Sequence, residues 1–188
     1  EQDYQAFLDD RRRSGSAGRQ TEVPTYRDVS AKLDIDEALV EYVVGAESVM
    51  LFVLTREALT TDTIPVRRED LESKVELVRE LIRHQDNERW RKPAASLATF
   101  LIDPVMAGGR MQGIQRLYLV PHGNLNFLPF ALLPSRGMDE SHRLVEDFTL
   151  AYLPTAAALL RDDTDSGSTS TMLAMAPEAS QLRYASEE

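Results

Sequence analysis

A layered α/β fold is predicted by three features of this sequence. Two apolar, β-branched and aromatic runs, ALVEYVV (38–44) and VMLFVLT (49–55), stand four residues apart, the spacing of a β-hairpin. Residues 68–84 place Leu71, Val75, Val78 and Ile82 on one helical stripe, flanked by Leu77 and Leu81. Strand-like runs then return at RLYLV (116–120) and DFTLAYL (147–153). Strands alternating with helices bury a sheet under helical layers.

Taken in order, EQDYQAFLDD (1–10) has the spacing of a helix end, with Tyr4, Phe7 and Leu8 on one side. RRRSGSAGRQ (11–20) is rich in Arg, Ser and Gly and reads as an exposed linker, so a boundary falls near residue 20. In the hairpin, the second run is apolar on both faces and is expected to be buried on both. On the helix at 68–84, the pairs Glu76/Arg79 and Glu80/Arg83 lie on the wet side. A second helix starts at Pro93, a favoured first-turn residue, and runs to Ile102; Pro104 bends or ends it, and Gly108-Gly109 closes the segment. After the strand at 116–120 comes a loop punctuated by Pro and Asn, then the strand at 147–153. Pro154 can start a small-residue helix, PTAAALLR. The polar stretch DDTDSGSTST (162–171) and a further strand, MLAMA (172–176), follow.

Composition excludes several functions. The sequence has 188 residues, 43% hydrophobic and 28% charged, enough for one domain with a sizeable core. A net charge of −10 opposes binding to phosphate backbones, so no direct nucleic-acid partner is expected, and Arg11-Arg12-Arg13 reads as a solvated segment. No apolar stretch is long enough to span a membrane, and none resembles a signal peptide. Zero cysteine excludes disulfides and thiolate metal sites and fits a cytoplasmic protein. No metal constellation and no phosphate- or dinucleotide-binding glycine pattern is present, so no cofactor is expected.

Three histidines could carry chemistry. His84 ends the amphipathic helix, where a cation complements the dipole. His142 lies in the polar stretch SRGMDESHR and reads as surface. His122 follows a strand and precedes glycine, a placement that can hold a general base in a cleft. Against that, Pro121-His122-Gly123-Asn124 also makes a plain turn. Ser135 and Ser141 lie in a loop, and no G-x-S-x-G elbow presents a nucleophile. His122 is therefore read as a turn or packing residue, and no catalytic residue is assigned.

The residues LYLVPHGNLNFLPFALLP (117–134), LVEDFTLAYLPTAAAL (144–159) and MLAMAPEASQLRYASEE (172–188) resemble the CHAT domain of caspase-like cysteine peptidases. That family reads strand–Pro–(Asp/His)–Gly–x–Leu–x–x–Leu-Pro-Phe, then a strand closing on Tyr-Leu-Pro-(Ser/Thr)-Ala. DEALVEYVVGAESVMLFVLT (36–55) is similar to its opening hairpin. The resemblance implies a caspase-like layered fold of which this chain holds the amino-terminal half. It places the family's catalytic histidine and cysteine in later strands, which this sequence does not contain, and sets His122 at a turn upstream of them. It also implies that residues 1–20 end a preceding helical segment, such as tetratricopeptide repeats, and lead through a linker into a pseudo-protease-like lobe at 21–163. Residues 164–171 would be a linker. Residues 172–188 would be the first strand and loop of the catalytic half, with Pro177, Glu178 and Tyr184 as candidates for substrate contact.

The expected partners are then the remainder of the CHAT domain, in the same protein or in a second chain left by proteolytic processing, a protein substrate, and the tetratricopeptide-repeat region. A bacterial stress or defence setting is implied by analogy alone. The rival expectation is a pseudoprotease scaffold that docks partners without catalysis.

Overall fold

In the computed structural model, which describes residues 24–84, 88–136 and 139–161, the hairpin is the start of a five-stranded sheet. The strands are β1 (Glu37–Val44), β2 (Val49–Thr55), β3 (Leu59–Ile64), β4 (Arg116–Val120) and β7 (Thr149–Tyr152), in the order β3-β2-β1-β4-β7. β1 to β3 form an antiparallel meander, with Tyr42 opposite Leu51 and Val53 opposite Thr60. β4 pairs parallel with β1 on one side and with β7 on the other. A separate two-stranded ladder joins β5 (Pro134–Arg136) to β6 (Asp139–Arg143).

One face of the sheet carries the main core. Ala38, Val40, Tyr42 and Val44 on β1, Leu51 and Val53 on β2, and Leu117 and Leu119 on β4 point there and are all buried. They pack against α2 (Arg68–Arg83) and α3 (Arg91–Leu101). α2 presents Leu71, Val75 and Val78, each about 1% exposed, at the i, i+4, i+7 spacing of a helical stripe. Burying each of these side chains contributes roughly 1.5–3 kcal/mol. The opposite side of α2 keeps the pairs Arg79–Glu76 and Arg83–Glu80, both at 3.0 Å. Tyr42 is enclosed, donates its hydroxyl proton to the Leu101 carbonyl at 2.8 Å, and is pushed up in pKa by burial.

The second face is covered only in part. α1 (Tyr26–Ser30) crosses one end, with a capping box between Thr25 and Asp28 at its start. A 3-10 segment at Ala156–Leu160 lies beside it. Together they shelter Val29, Leu33, Leu39, Leu54 and Val120. Beyond that shelter Val43 and Met50 are 39% and 45% exposed.

The observed elements depart from expectation in specific ways. The second hairpin run is not buried on both faces: Met50 and Phe52 point to the thinly covered side. β3 (LTTDTI) is an edge strand that sequence reading passes over, because its alternation is polar and only Ile64 is buried. α3 begins at Arg91, two residues before Pro93; it ends at Leu101, ahead of Pro104 as expected, and Pro104 then sits in the first turn of a short new helix, α4 (Asp103–Met106). Gly108 at φ 68 then turns the chain toward β4. Pro154 starts no α-helix; the small-residue run forms a 3-10 helix at Ala156–Leu160. In the polar stretch, residues 134–136 and 139–143 form the β5–β6 ladder, followed by α5 (Leu144–Asp147). The helix end expected at 1–10 and the strand at 172–176 lie outside the described residues, as do the boundaries at residues 20, 163 and 171.

Candidate functional site

β4 ends at Val120, and Pro121 stops the ladder because it has no N–H to donate. The chain then turns through Gly123 at φ 60, a left-handed value that suits glycine. Two 3-10 turns follow, Gly123–Phe127 and Phe130–Leu132. They drive Leu125, Leu128, Phe130 and Leu133 inward, all at 2% exposure or less, while Phe127 stays outside beside Arg79. The Leu-Pro-Phe block is thus an anchor. Phe130 lies 5.5 Å from the Tyr42 ring in tilted contact and 6.4 Å from Tyr152 edge-on.

His122 stands exposed at the mouth of a small cleft of about 60 Å³ shared with Arg68 and Glu72. Its Nδ1 accepts the backbone N–H of Val44 at 3.2 Å, tying the end of β1 to the turn after β4. Arg68 reinforces the same corner by donating to the Val44 carbonyl at 3.2 Å. An imidazole that accepts through Nδ1 carries its proton on Nε2, so neither nitrogen is free to take a proton without losing the tie. The geometry gives His122 a fastening role. His122→Ala should cost about 1 kcal/mol in a urea unfolding titration by orphaning the Val44 N–H, and His122→Asn, which keeps an acceptor, should recover part of the loss.

Ser135 is not a loop residue. It is 3% exposed on β5, and its hydroxyl donates to Asp147. Asp147 also meets His142, whose Nδ1 lies 3.7 Å from the other carboxylate oxygen. Nucleophilic catalysis needs the histidine between the hydroxyl and the carboxylate. Here the carboxylate is in the middle, so the trio buttresses the ladder and does not activate Ser135. His84 is the C-cap of α2, the residue just after Arg83, as its sequence position implies.

Two carboxylates escaped sequence reading. Glu37, 6% exposed, takes Arg116 at 2.6 Å and the Tyr118 hydroxyl at 3.0 Å on one oxygen, and the Asp34 N–H at 3.1 Å on the other. This clamp locks the lower ends of β1 and β4. Glu41, four residues further along β1 on the same face, meets no donor or cation among the described residues, and burial holds its carboxyl above the usual carboxylate range. It faces an open groove of about 380 Å³ walled by Leu39, Phe52, Leu54 and Leu59. An alternating apolar strand with one carboxylate in its register was the available signal for Glu41; the partners of Glu37 lie too far along the chain to be read.

Pro177, Glu178 and Tyr184 lie outside the described residues, so the structure brings none of them to this site. Among the described residues no group of three His, Asp or Glu side chains could hold a metal ion. No described helix is long and apolar enough to cross a membrane.

Fold and site together define a mixed α/β domain with a five-stranded sheet and helices, whose most distinctive motif is a packing anchor and whose sequence lacks a thiol. The family model described as the CHAT domain matches residues 91–186, just over half of the sequence. The chain belongs to the CHAT family. A comparison with curated proteins returns no match. Among solved structures, a chain of a PilM-PilN type IV pilus biogenesis complex is similar at 12% identity and a TM-score of 0.34, covering 79% of this chain and 47% of its own length. Nothing further rests on so weak a likeness.

Proposed function

We propose that this chain is the non-catalytic amino-terminal segment of a CHAT-domain, caspase-like cysteine endopeptidase that cleaves a partner protein. What supports the reading is the CHAT match over 91–186 in a sequence with no cysteine. In a peptidase of this class a thiolate attacks the peptide carbonyl, a histidine moves the proton, and backbone N–H groups hold the oxyanion. This chain would supply the lobe at 21–163 that completes a caspase-like layering. Residues 172–188 would open the catalytic half, with Pro177, Glu178 and Tyr184 bordering the substrate. The histidine and cysteine would come from the remaining CHAT polypeptide, joined or separated by processing. Helical repeats ahead of the lobe would relay the activating signal, in a cytoplasmic, bacterial setting.

Intact mass spectrometry under denaturing conditions, combined with an active-site thiol label, tests this. A cysteine-bearing CHAT polypeptide joined to or co-purifying with this chain, and labelled only when native, is the expected result. A single species of 21.1 kDa with no label and no peptidase activity would overturn it in favour of a binding module.

A further inference from the structure

The groove over the second sheet face is a bay of about 380 Å³ whose floor is made by Leu39 and Glu41 on β1 and Phe52 and Leu54 on β2. Tyr26 and Val29 of α1 stand at one side, Ala156 and Ala157 of the 3-10 segment at another. Among the described residues that line it, Glu41 is the only charged one. The Thr25 and Tyr26 hydroxyls at the rim are already engaged, one in the capping box of α1 and the other with Arg27. Glu41 itself receives no hydrogen bond and no cation from any described residue. A half-buried carboxylate among apolar walls, short of partners, favours an incoming positive charge.

Charge, size and backbone bonding together select the occupant. Phe52 pairs directly opposite Glu41, which sets their Cβ atoms about 5 Å apart. A cation at the carboxylate therefore also comes within reach of the Phe52 ring, the setting of a cation–π contact. The net charge of −10 enriches cations around the molecule and repels anions. The volume falls in the range of small-molecule sites, about 300–1,000 Å³. Two turns of a helix about 10 Å across fill on the order of 850 Å³, more than the bay holds. An extended peptide is disfavoured for a different reason. β1 is flanked by β2 and β4, and β2 by β1 and β3, so the floor offers no unpaired backbone edge to a peptide whose own N–H and C=O groups would lose water. A small molecule with one cationic group and an apolar body meets none of these objections.

We propose that the bay binds a small organic monocation, an ammonium or guanidinium carried on an aryl or alkyl body, with the cation against Glu41 and Phe52 and the apolar body against Leu39, Leu54 and Leu59. Glu41 is the specificity-determining residue of this site, and the binding does not rest on peptidase activity.

Three probes of one shape and different charge provide the test: 4-phenylbutylamine, 4-phenylbutanol and 4-phenylbutyrate. Each is titrated into the ¹⁵N-labelled 188-residue chain at neutral pH and followed by two-dimensional amide NMR. The amine should saturate with shifts concentrated at the amides of Leu39, Glu41, Phe52 and Leu59, and bind at least ten-fold tighter than the alcohol; the butyrate should be weakest. In Glu41→Gln the amine should fall to the affinity of the alcohol, while the alcohol changes little. The comparison of probes on the unaltered chain needs no variant, and the same spectra show whether Glu41→Gln is folded. Equal binding of amine and alcohol, a preference for the butyrate, shifts centred elsewhere, an unchanged amine affinity in folded Glu41→Gln, or no saturable binding would each overturn the proposal.

Discussion

Phe130→Ala is expected to cost about 3–5 kcal/mol of folding stability, the range for emptying a large aromatic site in a packed core. Phe130 has no exposed surface, sits against Tyr42, and closes the loop that returns from β4 to the helical layer. Removing the ring leaves a cavity bordered by a Tyr42 whose hydroxyl is pinned to Leu101, so the pocket cannot collapse freely. Thermal unfolding followed by circular dichroism should show the loss. The neighbouring Phe127→Ala, at a position 58% exposed, should change stability by about 1 kcal/mol or less. A small effect at Phe130 would mean that the Leu-Pro-Phe block is not an anchor and would reopen the question of its role.

Glu37→Ala is expected to cost about 2–3 kcal/mol, because removing a buried carboxylate that accepts from an arginine, a tyrosine and a backbone N–H orphans the Asp34 N–H and leaves Arg116 and Tyr118 only their bond to each other. Arg116 is half exposed and can rehydrate, which keeps the figure below that of a fully buried pair. Chemical denaturation of Glu37→Ala, Arg116→Met and the double variant forms a thermodynamic cycle. The double variant should lose less than the sum of the two single losses; strict additivity would show that the clamp is not a coupled unit.

The hairpin, the helix at 68–83 and the strand at 116–120 were legible because each is local: a period of two or of 3.6 is written into adjacent residues. What escaped is non-local or polar. β3 alternates Thr and Asp with few apolar residues, so nothing in its own composition announces a strand; only pairing to β2 makes it one. The Ser135–Asp147 contact joins residues 12 apart across a ladder of polar side chains. Glu37 and Arg116 meet across 79 residues. α1 is the exception: it is short, but Thr25-x-x-Asp28 is a local capping-box signal for its start.

At the site, the same division holds. The turn character of Pro121-His122-Gly123 was readable from residue types, whereas the bond that fixes the His122 tautomer depends on Val44, 78 positions earlier. The family resemblance at 117–134 and 144–159 rests on residues whose observed work is packing and turning. That explains how a motif of a peptidase family can stand in a stretch without a nucleophile: those positions hold the sheet and the helices together.

The place of β1 at the centre of the sheet bears on how the protein is made. One edge of β1 is satisfied by β2 within a few residues, but the other waits for β4, with Glu37 aligned to Arg116. At ribosomal speeds of about 5–20 residues per second, that wait is roughly 4–16 s. During it the nascent chain displays an apolar strand edge, Val40 and Tyr42 among its side chains, that is open to pairing with another chain. Crowded synthesis should therefore be the step at which this protein is most prone to misassociate, and chaperone demand should fall once residue 120 has left the exit tunnel.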